Sequence, residues 1–390
     1  MTEFVIFLWK LGVISSAPLL PLLFISRSQF FLINTLYYGL TSTAWFLPII
    51  LVYRVIAILL RKEPGQRRGK IDSIGIENIL RDNPISIHSI NSKEVQQLIY
   101  NLKKMLHMFN VDTKVGSCVA SSVGIRIRVS TGSESQCIRL RTLGREIAKC
   151  LRCDSVRIHS ANSLTCIEAV KRNRPNLTIK ELITKTRSHN WILPVGIDIV
   201  GNLVAINLKH AIAVSLIGDC QDSKTELIEA FILNILILDR DTDIYVFDLT
   251  NRYHNYGELI HLVRDNFGQY IAKLSNTSKP SAVFIDIIDT DYEIFTPLFQ
   301  SENINLKKIL NVYNLMSAEM LYKCIPHKIV FKMSKQRNLI ANKYSGIEDL
   351  LDKYDAMYYS VDRVERVQTP AISNRETVKI LEHLSSRKKL

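Results

Sequence analysis

Residues 211–238 read AIAVSLIG, then DCQDSKTE, then LIEAFILNILIL. An apolar run of strand length, a short polar stretch opened by a glycine and a longer apolar run together restrict the fold more than any other part of the chain. A strand without polar alternation has both faces covered, and a helix apolar on nearly all sides lies between layers. The pair predicts a strand at 211–218, a helix at 227–238 and a parallel sheet with helices on both faces. DIYVFDL (243–249) and AVFIDIID (282–289) are further apolar strands ending in aspartate, and HKIVFKM (327–333) and AMYYSV (356–361) complete the predicted sheet. Before them, a helix is expected at 177–184, and WILPVGIDIVGNLVAINL (191–208) reads as two strands turned at Gly201 and Asn202.

The polar stretch, GDCQDSKT, has the outline of a phosphate-binding loop, G-x-x-x-x-G-K-[ST]. In such a loop glycines let backbone N–H groups close on phosphates, lysine neutralises them and the Ser/Thr hydroxyl ligates magnesium. Gly218, Lys224 and Thr225 take these places, while Ser223 replaces the second glycine and Asp219 and Asp222 bring negative charge. The candidate nucleotide-binding residues for ATP are therefore Gly218, Ser223, Lys224 and Thr225, with Asp286 as the ligand for Mg2+. An acidic residue would normally follow Asp286 to polarise the attacking water, but Ile287 stands there and leaves Asp289 as the candidate catalytic carboxylate. The expectation is a phosphate-loop scaffold with impaired or lost hydrolysis.

Two apolar stretches, 4–25 and 30–53, are each long enough to cross a bilayer, and the basic residues that follow place the rest of the chain in the cytoplasm. Residues 1–62 are thus expected to form a transmembrane hairpin in the inner (plasma) membrane, and 63–90 a linker. A small α+β domain is expected at 91–172, with a helix from Asn91, strands at 124–130, 137–141 and 155–160, and a helix at 143–151. Lys and Arg outnumber Asp and Glu by 50 to 37, a balance that favours a polyanionic partner. Arg126, Arg128, Arg139 and Arg141 are the candidate DNA-binding residues, although alternation with Ile125 and Ile127 also suits an ordinary solvated sheet face. Cys150 and Cys153 form the one close cysteine pair, and no second pair answers it to make a metal site.

The order of segments resembles the FtsK/SpoIIIE family of double-stranded DNA translocases. The resemblance is carried by SQCIRLRTLGREIAKCLRCDSVRI (135–158), LPVGIDIVGNLVAINL (193–208), the strand and loop ending at Thr225, KIVFKMSK (328–335) and SGIEDLLDKYDAMYY (345–359). Gly196, Asp198 and Gly201 match that family's G-x-D-x-x-G strand pair. The resemblance implies a membrane anchor, a linker, a small α domain and a RecA-like P-loop domain (173–390) assembled as a ring around DNA. The chain departs from the family at Ser223, at Ile287, at 311–314 where a Thr-Gln-Arg sensor becomes Asn-Val-Tyr-Asn, and near Leu339 where an arginine is expected. The implied function is a membrane-anchored homologue acting in DNA segregation, division or transfer, in a ring of its own or mixed with a catalytic paralogue. Two alternatives stand beside it: an active ATP-dependent translocase with a divergent site, and a membrane-bound interaction module that binds no DNA.

Overall fold

A computed structural model describes residues 92–388, apart from 162–163, 187–191, 210, 212, 240, 250, 288–291, 314–324, 334–346 and 348. The expected membrane hairpin and linker, Asp289 and the position near Leu339 lie outside the described residues. The chain divides into two units, Met1–Ile71 and Asp72–Leu390, and the second contains all the described residues. Among the described residues, no helix is long and apolar enough to cross a membrane.

Among the described residues of the second unit, the first elements are helix α1 (Ser92–Met108), strands β1 (Thr113–Ala120) and β2 (Gly124–Thr131), helices α2 (Glu134–Thr142) and α3 (Gly144–Leu151), and strands β3 (Cys153–Ala161) and β4 (Leu164–Lys171). The strands pair antiparallel in the order β1-β2-β4-β3. Ile125, Ile127, Val129, Val156, Ile167 and Ala169 line one sheet face and pack on Leu102, Leu106, Leu140, Ile147 and Leu151 of the helices. Residues 137–141, expected as a strand, are helical within α2. Their apparent alternation misleads because Ile138 is 55 % exposed, whereas Cys137 and Leu140, spaced three apart, are buried. Ser133 caps this helix by accepting from the Gln136 amide at 3.3 Å.

The remaining elements are α4 (Ile179–Thr186), β5 (Ile192–Asp198), β6 (Leu203–Asn207), β7 (Ala213–Ile217), α5 (Gln221–Leu238), β8 (Asp243–Phe247), β9 (His261–Val263), α6 (Phe267–Ser275), β10 (Ser281–Ile285), α7 (Thr296–Gln300), β11 (Leu306–Asn311), β12 (His327–Phe331), β13 (Asp355–Tyr359), β14 (Val364–Gln368) and α8 (Asn374–Lys388). They form a ten-stranded sheet ordered β6-β5-β14-β13-β12-β7-β11-β10-β8-β9. From β12 to β9 the strands run parallel. From β12 outward to β6 every pairing is antiparallel; β13–β14 and β5–β6 are joined by tight turns, such as that closed by the Ser360 amide on the Arg363 carbonyl, which leave no room for a crossover. On one sheet face Leu227, Phe231, Ile232 and Leu233 of α5 pack beneath Ile380, Leu381 and Leu384 of α8. Buried between sheet and helix, α5 has little need of a polar face, and each such side chain contributes about 1.5–3 kcal/mol. Ile271 and Leu274 of α6 and Leu298 of α7 cover the other face.

The two sheets share a core of Val123, Val170, Leu177, Leu182, Ile197 and Ile199. Arg366, fully buried, donates to Asp355 at 2.6 Å and to Ser155 of the small sheet at 2.7 Å. In the G-x-D-x-x-G pair, buried Asp198 accepts from the Val200 and Asn202 amides at 3.0 and 2.8 Å, closing the turn at Gly201, whose φ is 90°. A Cβ on Gly196 would stand 2.0 Å from the Gln368 carbonyl oxygen, so this motif serves the close approach of β5 and β14.

Candidate functional site

From β7 the chain crosses to β8, returns through β10 and β11, and passes to β12 on the other side of β7. The carboxyl end of β7 is therefore a topological switch point, where open α/β sheets form their binding crevice. Gly218 to Thr225 lie at that end, and Asp286 follows β10 one strand beyond the intervening β11. The structure thus gathers the predicted nucleotide and metal residues into one place.

Their conformation is not that of a phosphate cradle. Helix α5 starts at Gln221, so Asp222, Ser223 and Lys224 are already helical and the loop is reduced to Gly218, Asp219 and Cys220. The Asp219 amide donates to the Lys332 carbonyl at 3.0 Å and the Gln221 amide to the Asp219 carbonyl at 3.0 Å, which takes both from any anion. Asp219 and Asp222 are exposed, and Asp222 complements the positive end of the α5 dipole. Gly218 has φ 130°, and a Cβ there would meet the Phe331 backbone and Cβ at 2.8 Å. Its glycine is explained by contact with β12. Ser223 is buried, and its hydroxyl accepts from the Tyr354 amide at 3.2 Å.

Lys224 is fully buried, with its ammonium donating to the Val312 carbonyl at 2.7 Å and lying 4.7 Å from the centre of the Tyr313 ring. Asp286, 1 % exposed, accepts from Asn311 Nδ2 at 2.7 Å and Tyr313 Oη at 2.5 Å on Oδ1, and from Tyr253 Oη at 2.7 Å on Oδ2. Burial, followed by the adjacent Asp286 carboxylate, raises the pKa of both tyrosines, so they remain donors. Arg252 Nη1 donates to Thr225 Oγ1 and to Tyr313 Oη, each at 2.9 Å, and stands 3.9 Å from Asp286 Oδ2. Burial alone would lower the Arg252 pKa, but Tyr313 and Asp286 outweigh it and keep the guanidinium charged. Ile287, at the position expected for an acid, is in the core.

Magnesium does not fit between Thr225 and Asp286, because the Arg252 guanidinium already stands there, donating to the Thr225 hydroxyl and bringing its own positive charge to 3.9 Å from Asp286 Oδ2. Sequence reasoning missed Arg252 and Tyr253, and it met Tyr313 only as part of the altered 311–314 segment, without a role. The signal for the first two was the polar and aromatic run NRYHNY directly after the strand ending at Asp248, at the same sheet end as the loop.

The candidate DNA-binding arginines do not act as one set. Arg126 pairs with Glu168 at 3.1 Å and Asp198 at 3.4 Å, both buried. Arg128, Arg139 and Arg141 are exposed, the last donating to Ser160 at 3.4 Å.

No protein-family model matches the chain, and no curated protein matches it. Among solved structures it is similar to the pCW3 conjugation coupling protein TcpA, in a monomer form with ATPgS, at 11 % identity and TM-score 0.45, covering 73 % of this chain and 99 % of that one. It is also similar to the cytoplasmic domain of the Type VII secretion ATPase EccC of Thermomonospora curvata, at 10 % identity and TM-score 0.42, covering 54 % of this chain and 34 % of that one. A third similarity is to the genome packaging NTPase B204 of Sulfolobus turreted icosahedral virus 2 in complex with AMPPCP, at 17 % identity and TM-score 0.33, covering 43 % of this chain and all of that one. At these scores the likenesses carry no argument about function.

Proposed function

We propose that this chain is a membrane-anchored, FtsK/SpoIIIE-like subunit that has kept the phosphate-loop scaffold and lost ATP hydrolysis, and that it works in DNA segregation, division or transfer. The observation that carries the reading is the state of Lys224. Its ammonium is buried against the Val312 carbonyl, and the residues that would wrap a phosphate are wound into α5. A functional loop needs the opposite, a lysine and several amides converging on open space. The two apolar stretches before residue 54 support the anchor, and the excess of basic residues supports a DNA partner. Such a subunit acts by binding and assembly, in a ring of its own or beside a catalytic paralogue.

The test is ATP turnover by the full-length chain in detergent, with Mg2+ and with or without duplex DNA. The expected result is no turnover above background and no change in Lys224→Ala. DNA-stimulated turnover that disappears in Lys224→Ala would favour the active translocase instead.

A further inference from the structure

A phosphate loop and its partner strand hold magnesium between a Ser/Thr hydroxyl and an aspartate. Here the group between Thr225 and Asp286 is the Arg252 guanidinium, 2.9 Å from the Thr225 hydroxyl and 3.9 Å from the nearer Asp286 oxygen. We infer that Arg252 is a resident cation standing in for the divalent ion, so that the ends of α5, β10 and β11 are held together without metal or nucleotide.

The geometry of the supporting segment argues for a built position. Arg252 lies between Asn251, whose φ of 59° is left-handed, and Tyr253, which is fully buried. Tyr253 ties this segment to the site twice, through its hydroxyl on Asp286 at 2.7 Å and its amide on Asp248 at 3.3 Å. The Asn251 side chain accepts from Arg264, and its carbonyl lies 2.8 Å from His254 Nδ1. Both flanks of Arg252 are therefore fixed. Asp286 is buried, and a buried carboxylate without a compensating charge is costly. In a metal-dependent site an exchangeable ion supplies that charge. Here a covalently tethered one does, through planar N–H groups that bridge Thr225 and Tyr313 simultaneously.

This inference deepens the reading of a silent site, and its test uses Mn2+ without nucleotide so that the two can fail separately. ATP turnover through Lys224 would overturn the silent site; the Mn2+ experiment reads the metal position alone. Full-length wild type, Arg252→Ala and Arg252→Gln are titrated with Mn2+ and followed by electron paramagnetic resonance. Wild type is expected to gain no site dependent on Asp286. A neutral variant is expected to gain one, lost again when Asp286→Asn is added. Arg252→Gln keeps an amide donor for Thr225 and serves if the alanine variant does not fold. The inference is overturned if wild type binds Mn2+ through Asp286 or if a folded neutral variant gains no site. It is equally overturned if neither variant folds in excess Mn2+, because a cation surrogate should be replaceable by a cation.

Discussion

A lysine ammonium in a phosphate loop is solvated or bound to phosphate, and its removal costs affinity while leaving the fold intact. The Lys224 ammonium instead bonds a carbonyl at the end of β11 and lies against Tyr313, so its loss should be felt in stability. Lys224→Ala removes a buried stem and leaves the Val312 carbonyl unsatisfied, an expected loss of about 2–4 kcal/mol. Lys224→Met retains most of the packing and should lose less, about 1–2 kcal/mol. Chemical denaturation without nucleotide measures both; unchanged midpoints would mean that the ammonium is free. At Asp286 three hydroxyl or amide donors and a nearby guanidinium surround one carboxylate, and together these side chains supply what a metal's coordination would otherwise supply.

At the scale of elements, α5 links the site to the C-terminal helix. Glu229, one turn beyond Thr225, accepts from Thr377 of α8 at 3.3 Å. Burial, only partly offset by that hydrogen bond and reinforced by nearby Glu226 and Asp286, pushes its carboxyl up to about 7. A carboxyl whose folded pKa is raised contributes stability while protonated. That contribution is complete below the unfolded value of 4.5 and is lost as pH rises through about 7. Hydrogen-exchange protection factors in Asn374–Lys388 should therefore fall as pH rises from about 4.5 to about 7 and level off above it, and Glu229→Gln should flatten the dependence. Protection independent of pH in wild type would remove Glu229 from the docking of α8.

For the whole molecule, the charge excess of 50 basic over 37 acidic residues directs attention to the exposed arginines, and the structure separates those held in ion pairs from those facing solvent. Arg126 pairs with buried Glu168 and Asp198 where the two sheets meet. Arg126→Ala is thus expected to lower stability, whereas Arg128→Ala and Arg139→Ala should leave it unchanged. If the exposed pair contacts duplex DNA, each loss should weaken binding at every sequence and reduce the salt slope by about one. Fluorescence anisotropy across a salt series measures this. Equal affinity in wild type and both variants would remove these arginines from the DNA contact, and no binding by any of them would point to the interaction module without DNA.

Most of the sheet was legible because its signal is local. Apolar runs at β7, β8, β10, β12 and β13 and the apolar α5 declare themselves within a few residues, and the loop sits where the strand-to-helix transition puts it. Strands β11 and β14 were not legible, since LKKILN and VERVQ carry charges whose burial depends on partners outside the strand itself: Lys308 on the Ser301 carbonyl, Arg366 on Asp355. The departures at Ser223 and Ile287 set the expectation of a degraded nucleotide site from sequence alone. Only the tertiary structure decided which contacts Lys224 and Thr225 make, because Lys224 and Val312 are 88 residues apart and Arg252 reaches Thr225 across 27. Local composition determines which face a segment buries; where a buried charge finds its counterpart is settled by the packing of the whole sheet.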